Sequence, residues 1–380
     1  RGPCPLADPA YASLTFTLSG AEFADLQGVP ATQLLPAYQG YVGRSVPLSV
    51  VCDIRDAASE LLRRKGYLAA VQVPPQRIGD GIVKFNVVTA KIVSFQVRGN
   101  AGKSEKRIAA YLAELGKQPV FNAIEAERAL MLMRDMPGYD IRLSLRPAGT
   151  NPGEMIGEVQ VTYTPVEAEL NLQNLGSQST GRFSGLAQLY YNGLFGSGDR
   201  TSLGFFSTAD FKEQLVALAG QELQIGRNGL TISLDFAHAW THPSFGAGSN
   251  FRSRTFVAAF QARYPLVRRQ VRTIQLAGGL DWIDQRVRFG GFPFFTDKLR
   301  VAYARIDYDQ VQAASIASVK GYSATEPRWR IGGSLEIRQG LGILGNIPDC
   351  GPAYVRCFAP GAIPPSRFDA DTTAFVARAS

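Results

Sequence analysis

From Val166 onward the chain consists of segments of about ten residues whose side chains alternate between apolar and polar. In one of them, LTISLDFAHAW, the apolar positions are Leu230, Ile232, Leu234 and Phe236, and the polar positions between them are Thr231, Ser233 and Asp235. A period of two puts the apolar side chains on one face of a strand and the polar ones on the other. No run of eighteen apolar residues occurs, which excludes a conventional membrane-spanning helix. The pattern therefore predicts an antiparallel transmembrane β-barrel.

About ten such segments follow one another as far as Ser380. They are EAELNLQNL, FSGLAQLYY, RTSLGFFST, QLVALAGQELQI, LTISLDFAHAW, RTFVAAFQARY, TIQLAGGLDW, LRVAYARIDY, WRIGGSLEIRQGL and TTAFVARAS. An arginine that faces lipid at mid-membrane costs about 2–4 kcal/mol, so charged residues in these strands are expected to face the lumen. The predicted lumen-facing residues are Asp235, Arg263, Arg330, Glu336 and Arg338. The aromatic residues expected at the membrane interfaces are Tyr191, Trp240, Tyr264, Trp282 and Tyr308.

The first 165 residues contain two copies of one small unit of roughly 75–80 residues. The opening strand is predicted in SLTFTLSG for the first copy and in IVSFQVRG for the second, since both alternate toward a turn glycine. Two helices follow in each copy, ATQLLPAYQGYVG and LSVVCDIRDAASELLRRKGY in the first and SEKRIAAYLAEL and NAIEAERALMLMRDMPGY in the second. Two strands close each copy, so the order β-α-α-β-β is predicted twice.

The phrase VPPQRIGDGIVKFNVVTAKIVSFQVRGN leads from the last strand of the first copy directly into the second copy. In this phrase, and in its order of elements, the N-terminal half resembles POTRA domains, and those of the two-partner secretion transporters (ShlB type) in particular. The predicted organisation is two α+β domains, residues 1–91 and 92–165, followed by the N-terminal part of a transmembrane barrel, residues 166–380. A three-stranded sheet in such a domain leaves an edge to which a peptide could add, and the candidate edge runs through Val71 and Val73.

The segment NLQNLGSQSTGRFSGLAQLYYNGLFGSGDR resembles the first hairpin of the two-partner secretion barrels. The matching positions are Asn174, Gly176, Thr180, Gly181, Arg182, Gly198 and Asp199. Both GSQSTGR and GLFGSGDR have the composition of turns. The family also has an inward-folded loop with a Val-Arg-Gly-Tyr signature. Val319-Lys320-Gly321-Tyr322 lies too early and has lysine in place of arginine, so we do not assign that role to it.

Four cysteines, Cys4, Cys52, Cys350 and Cys357, allow three pairings. The last two lie in the proline- and glycine-containing stretch DCGPAYVRC, where a disulfide would staple an exposed loop. A zinc site would need a shorter spacing and nearby histidines. We therefore expect two disulfides and an oxidising compartment.

The remaining composition favours neither catalysis nor nucleic-acid binding. The net charge of +8 is spread thinly, without a basic cluster interleaved with aromatics. His238 and His242 are the only histidines, and their spacing suits a helix but falls in a predicted strand, so no metal site is expected. The glycines before Asp199 lack the lysine of a phosphate-binding loop. We expect no catalytic residues, no cofactor and no enzymatic activity.

The resemblance implies a bacterial outer-membrane translocator whose residues 1–165 lie in the periplasm. Its expected partners are a secreted client protein in unfolded form and outer-membrane lipid, and the chain is expected to be monomeric. Two alternatives remain at this point. An assembly factor that inserts other barrel proteins is disfavoured by the presence of only two POTRA copies. A passive porin would conduct ions or solutes without any protein client.

Overall fold

The computed structural model describes residues 4–244, 250–316 and 326–380, so the segment Val319–Tyr322 lies outside the described residues. The chain divides into two compact units. One comprises Arg1–Asn100, Ile108–Met133 and Asp140–Thr162, and the other Ala101–Arg107, Arg134–Tyr139 and Tyr163–Ser380. Because this division cuts across the second copy of the repeat, the three predicted domains stay a prediction. Every helix in the described ranges is too short or too polar to cross a membrane.

The first copy forms a mixed sheet covered by one long helix. Its elements are β1 (Thr15–Thr17), β2 (Gly20–Ala24), β3 (Ser45–Pro47), α1 (Val50–Arg64), β4 (Ala69–Gln72) and β5 (Ile82–Thr89). The sheet order is β2-β5-β4, with β2 parallel and β4 antiparallel to β5, and β1 pairs separately with β3. The helix predicted in LSVVCDIRDAASELLRRKGY forms α1, and one side of it is buried in this core, where Ile54 and Ala58 are fully buried together with Phe85 of β5.

The predicted opening strand of the first copy is wrong in its position. SLTFTLSG is interrupted at Leu18, because this buried residue bonds through both backbone groups to the chain around Arg44 rather than to the sheet. The strand that joins the sheet therefore begins only at Gly20. The predicted first helix forms two 3-10 turns, Ala31–Ala37 and Gln39–Tyr41. Pro36 lacks the N–H that an α-helix would need there.

The second copy follows the predicted order of elements. They are β6 (Lys91–Gly99), α2 (Glu105–Gly116), α3 (Ala123–Arg134), β7 (Tyr139–Pro147) and β8 (Glu154–Tyr163), with the sheet order β6-β8-β7. Asn122 caps α3, since its Oδ1 accepts from the backbone N–H of Ile124 at 2.9 Å and of Glu125 at 3.3 Å. An unpaired N–H at the start of a helix is expensive, which explains why the helix begins here.

Backbone hydrogen bonds join the two copies to each other. Ala123 N–H donates to Gly66 O and Phe121 N–H donates to Ala90 O, both at 2.7 Å. The Asn122 side chain adds a bond from Nδ2 to Lys65 O at 3.0 Å. The end of α1, the end of β5 and the start of α3 are therefore held together at one junction.

The rest of the chain forms one ten-stranded antiparallel sheet in which each strand pairs with its neighbours in sequence. The strands are β9 (Val166–Gln173), β10 (Ser184–Asn192), β11 (Arg200–Thr208), β12 (Gln214–Ile225), β13 (Leu230–Thr241), β14 (Phe251–Arg268), β15 (Arg272–Phe289), β16 (Phe292–Val311), β17 (Arg330–Gly340) and β18 (Phe375–Ala379). A short helix, α4 (Ala313–Ile316), follows β16. The prediction of about ten successive strands is confirmed. β14, β15 and β16 run longer than predicted, with 18, 18 and 20 residues.

Both predicted disulfides are present. Cys4–Cys52 ties the N-terminal segment to α1, with a Cα–Cα distance of 5.9 Å. Cys350–Cys357 closes a small loop between β17 and β18, with a Cα–Cα distance of 5.2 Å.

Candidate functional site

The predicted peptide-binding edge corresponds to β4, which pairs with β5 on one side only. Val71 lies in this strand, but Val73 lies just beyond its end, because pairing with β5 stops at Gln72. Both valine side chains pack into the core of the first copy. Neither valine side chain is therefore available to a ligand, which would have to pair with the backbone of this edge.

The direction of the backbone groups on β4 follows from its pairing with β5. Ala90 N–H donates to Leu68 O at 2.8 Å, so the backbone carbonyl of Leu68 points toward the β5 side. Since hydrogen-bonded and non-hydrogen-bonded pairs alternate in an antiparallel ladder, Ala69 and Val71 point their N–H and C=O groups away from β5. A groove of about 1100 Å³ lies against Ala69–Val71, and its opposite wall is the polar side of α1 with Asp56 and Arg63.

The ten-stranded sheet separates its side chains onto two faces. Residues directly opposite each other in neighbouring strands share a face, so the register carries a face across the sheet: Asp235 lies opposite Ala259, which lies opposite Asp281. The same register places all five predicted lumen-facing residues on one face, here called the polar face. They are Asp235, Arg263, Arg330, Glu336 and Arg338. That this face lines a lumen stays a prediction.

Ion pairs connect the polar face between strands. Glu336 of β17 accepts from Arg338 at 3.2 Å and also lies 3.8 Å from Arg305 of β16. Arg338 reaches across two strands to Asp281 of β15 and lies over the ring of Tyr303. Arg263 of β14 pairs with Glu222 of β12, on the other side of β13. The sequence predicted Arg263, Glu336 and Arg338 as lumen-facing residues without assigning them partners. The structure joins each of them to oppositely charged side chains.

The opposite face, here called the apolar face, exposes large hydrophobic side chains. They include Leu234, Phe236, Phe260, Leu335 and Ile337. All five predicted interface aromatics lie on this face. Trp240 and Trp282 lie toward one end of the strands, and Tyr191, Tyr264 and Tyr308 toward the other. The predicted strand TIQLAGGLDW ends at Trp282, but β15 continues for seven residues beyond it to Phe289. Trp282 therefore does not lie at the end of its strand.

The first-hairpin motif is divided between two ends of the sheet. Asn174, Gly176, Thr180, Gly181 and Arg182 lie in the connection from β9 to β10, whereas Gly198 and Asp199 lie in the connection from β10 to β11. In the first connection the backbones approach closely, and Gly176 N–H donates to Arg182 O at 3.3 Å. A Cβ at Gly176 would lie 2.0 Å from Gly181 O, so a larger residue would not fit. The motif therefore builds turns rather than one ligand site.

Asp199 is fully buried and organises the second turn. Its carboxylate accepts from the backbone N–H of Phe195 and of Ser197, each at 3.0 Å, and from the Ser197 hydroxyl at 3.2 Å. A Cβ at the preceding Gly198 would meet the Met136 side chain at 2.9 Å. The turn thus depends on glycine for space and on aspartate for its backbone hydrogen bonds.

Asn192 and Arg200, which flank this turn, were not predicted. Asn192 is fully buried, and its Nδ2 donates to Glu167 at 2.6 Å and to Thr164 O at 2.9 Å. Arg200 donates to Asn192 Oδ1 at 2.9 Å and to Glu167 at 3.2 Å. The signal in the sequence was a polar residue on each side of the glycine-rich turn. Glu167, the partner of both residues, lies in β9, next to the strand of Asn192 and two strands from that of Arg200. Spacing along the sequence could not identify it.

Arg300 was also missed. It is on the apolar face, yet only 1% of it is exposed. Its guanidinium lies 2.8 Å from Asp284 and stacks on Trp282 at 3.4 Å from the ring centroid, and it donates to Leu344 O at 3.1 Å. The segment after β17 covers it, since Leu341 N–H donates to Arg300 O at 2.7 Å. The charge at this position is therefore satisfied within the chain.

Both histidines lie near the end of β13. His238 lies on the apolar face, where its ring is 4.2 Å from that of Trp240, and His242 follows the end of β13. Burial lowers the pKa of His242, and the nearby charges of Arg252 and Arg254 lower it further. In the part of the chain that the structure describes, no three His, Cys, Asp or Glu side chains are grouped to hold a metal.

Comparison with known proteins gives matches to both halves of the fold. Residues 16–89 match the model of the POTRA domain, ShlB-type. The heme/hemopexin transporter protein HuxB of Haemophilus influenzae is 26% identical over 208 residues, which cover 51% of this chain and 35% of HuxB. The resemblance to the two-partner secretion transporters is thereby confirmed. This chain accordingly spans about a third of the length of the curated relatives it matches.

Two solved structures resemble this chain at the level of the fold. CdiB from Escherichia coli superposes with a TM-score of 0.69 at 15% identity, covering 92% of this chain and 63% of CdiB. CdiB from Acinetobacter baumannii gives a TM-score of 0.59 at 13% identity, covering 87% of this chain and 62% of that protein. The chain therefore has the fold of these structures, POTRA domains of mixed α/β structure followed by a large antiparallel sheet.

Proposed function

We propose that the chain belongs to an outer-membrane translocator that captures an unfolded secreted protein with its POTRA domains and passes it through the barrel. The observation that carries the proposal is the joining of an ShlB-type POTRA domain to a sheet with one polar and one apolar face. The HuxB match extends over half of this chain and supports transport as the activity. The fold shared with CdiB supports an outer-membrane location.

The polar face supports a path for an unfolded chain. Its ion pairs present both signs of charge, as in the group formed by Arg338, Glu336 and Asp281. Such a surface satisfies charges internally and offers hydrogen bonds to a peptide backbone without favouring one sequence. The apolar face suits lipid, since moving an exposed Leu or Phe side chain out of water lowers the free energy of the system.

Client capture is proposed at the outer edge of β4. An extended peptide can pair with the outward backbone groups of Ala69 and Val71, and its side chains would lie in the groove against α1. Recognition through backbone hydrogen bonds accepts many sequences, which suits a client that is threaded while unfolded. The groove wall carries carboxylates and guanidiniums, so it can also orient charged side chains of the client.

The test is the replacement Ala69→Pro in the intact protein. Proline removes one outward N–H and leaves the ladder bonds to β5 in place. We expect the amount of exported client to fall between about twofold and tenfold, the effect of one hydrogen bond. Ala69→Ser retains the N–H and is the matched control, and the thermal stability of the POTRA region should be unchanged in both variants. Normal export by Ala69→Pro would contradict capture at this edge.

Deleting residues 11–165 in the cells used for the export measurement distinguishes the alternative functions. An assembly factor would lower the amount of other barrel proteins in the outer membrane when residues 11–165 are deleted, whereas a translocator would lower only its own client. A passive porin would conduct ions without a client and would not respond to the deletion. Loss of all export with unchanged levels of other barrels is the result that we expect.

A further inference from the structure

Four exposed arginines form a block on the apolar face, at the end of β14 and β15 that lies farther from Arg268. They are paired directly across the two strands, Arg252 opposite Arg288 and Arg254 opposite Arg286. Directly opposed side chains have Cβ atoms about 5 Å apart, and the next pair on the same face is about 7 Å along the strand. Four positive charges therefore share a small area of the surface.

Nothing in the described residues neutralises this block. Arg252 donates to Asn250 Oδ1 at 3.0 Å, but none of the four arginines forms an ion pair with a carboxylate within the described ranges. Asp284 lies on the same face two residues from Arg286, but its partner is the buried Arg300 at 2.8 Å. The stretch 245–249, FGAGS, contributes no charge. Like charges directly opposite each other are unfavourable in a sheet, so a bound anion would relieve the repulsion within the block.

The position of the block relates it to the membrane. Arg254 lies directly opposite Trp240, and the next residues of β14 on that face are Phe256 and Ala258, with Trp282 opposite Ala258. The arginines therefore follow immediately after the aromatic and apolar band, where lipid headgroups begin. His242, beside the block, has its pKa lowered by burial and then by Arg252 and Arg254, which agrees with a locally positive potential.

We propose that Arg252, Arg254, Arg286 and Arg288 bind the phosphate groups of a lipid headgroup in the outer leaflet. Arginine suits this ligand because its planar fork donates two parallel hydrogen bonds to one phosphate. The orientation rests on the proposed function: Arg268, at the opposite end of β14, pairs at 2.6 Å with Asp135, which follows α3 of the second POTRA copy. The POTRA side is periplasmic, so the arginine block faces outward.

The experiment measures lipid binding by the purified full chain, with no client present. The probes are bisphosphorylated lipid A and its dephosphorylated form, each added to phosphatidylcholine nanodiscs, and the signals are tryptophan fluorescence near Arg254 and bound lipid counted by native mass spectrometry. We expect the phosphorylated form to bind at least about tenfold more tightly, with an affinity that falls as salt increases. Equal binding of the two forms would overturn the proposal without any variant being needed.

Two matched variants locate the site. Replacing the four arginines with glutamine (Arg252→Gln, Arg254→Gln, Arg286→Gln, Arg288→Gln) should abolish the preference for phosphorylated lipid. Replacing four exposed POTRA arginines with glutamine removes the same charge elsewhere and should leave the preference intact; these are Arg44, Arg77, Arg98 and Arg142. A preference retained by the first variant overturns the assignment.

A third binding measurement, with inorganic phosphate alone, distinguishes a site for soluble anions from a site for lipid. Inorganic phosphate alone should bind much more weakly than lipid A, because it lacks the acyl chains that insert beside the apolar face. If inorganic phosphate binds as tightly as lipid A, the block is a site for soluble anions and the lipid proposal is wrong. Because no export is measured, this outcome is independent of the translocator function.

Discussion

At the residue scale, the start of the sheet depends on a small buried polar group around Asn192. Tyr163 donates its hydroxyl proton to Asn192 O at 2.6 Å, and Tyr139 stacks on Tyr163 at 4.6 Å. The Tyr139 hydroxyl donates to Ala101 O at 3.0 Å. A Cβ at Gly138 would lie 2.6 Å from Asn192 Nδ2, so this contact requires glycine. Single residues, far apart in sequence, thus fix how the chain enters β9.

The first prediction concerns the pH dependence that Tyr139 produces. Burial raises the pKa of Tyr139 above its ordinary value. A raised pKa in the folded state means that the neutral form is favoured there, so the contribution to stability is complete below the unfolded pKa of about 10 and is lost as pH rises through the folded pKa. We expect the free energy of unfolding to decline above about pH 10. Urea unfolding at a series of pH values measures this.

Tyr139→Phe supplies the comparison. The variant should lose about 1 kcal/mol at neutral pH, because the hydrogen bond to Ala101 O is gone. Its decline in stability at high pH should also be shallower than that of the original protein. Tyr11→Phe changes an exposed tyrosine and should alter neither quantity. An unchanged pH profile in Tyr139→Phe would contradict the role of Tyr139.

At the element scale, the two disulfides stabilise very different lengths of chain. Cys4–Cys52 joins residues 48 apart and fastens the N-terminal segment onto α1. Cys350–Cys357 joins residues 7 apart in the segment that covers Arg300. A disulfide that closes a long loop removes more conformational entropy from the unfolded chain than one that closes a short loop. Cys4–Cys52 should therefore stabilise the folded state more than Cys350–Cys357.

The second prediction follows from these loop lengths. Replacing Cys4 and Cys52 with serine should lower the free energy of unfolding of the first POTRA copy by about 4 kcal/mol. Replacing Cys350 and Cys357 with serine should lower the free energy of unfolding of the sheet unit by about 2–3 kcal/mol. Urea unfolding of each variant, monitored by circular dichroism, measures both changes in the free energy of unfolding. Equal losses would show that strain or residual structure, and not loop entropy, dominates.

At the scale of the whole molecule, the proposed function requires the apolar face of the sheet to meet lipid and the polar face to meet water. Ala258 and Ala259 are neighbours in β14 but lie on opposite faces. Ala258 is flanked by Phe236 and Trp282 on the apolar face, whereas Ala259 is flanked by Asp235 and Asp281 on the polar face. One substitution made at both positions therefore compares lipid with water at nearly the same depth.

The third prediction uses this pair. Ala258→Arg should reduce the stability of the protein folded in lipid vesicles by about 1–3 kcal/mol, because it places a guanidinium in the hydrocarbon region. Ala259→Arg should cost much less, since the new charge lies between two aspartates. Urea titration of vesicle-inserted protein measures both. A larger loss from Ala259→Arg would mean that the assignment of the two faces is reversed.

Local sequence determined much of this protein. The period of two in segments such as LTISLDFAHAW was sufficient to predict the strands and the face on which Asp235, Arg263 and Arg338 lie, because side-chain direction in a strand depends only on residue parity. The helices in LSVVCDIRDAASELLRRKGY and NAIEAERALMLMRDMPGY were likewise predicted, since the periodicity of a helix involves residues within one or two turns. The pattern of four cysteines predicted the two bridges.

Tertiary structure decided what depends on partners distant in sequence. The start of β2 at Gly20 follows from the bonds that Leu18 makes near Arg44, and alternation along the chain contains no information about that contact. The burial of Arg300 requires the segment after β17, and the arginine block requires the register that sets Arg254 opposite Arg286. Strand register and loop packing are set by hydrogen bonds and burial over many strands, which is why only the folded chain reveals that β4 ends at Gln72 and that the four arginines form a block.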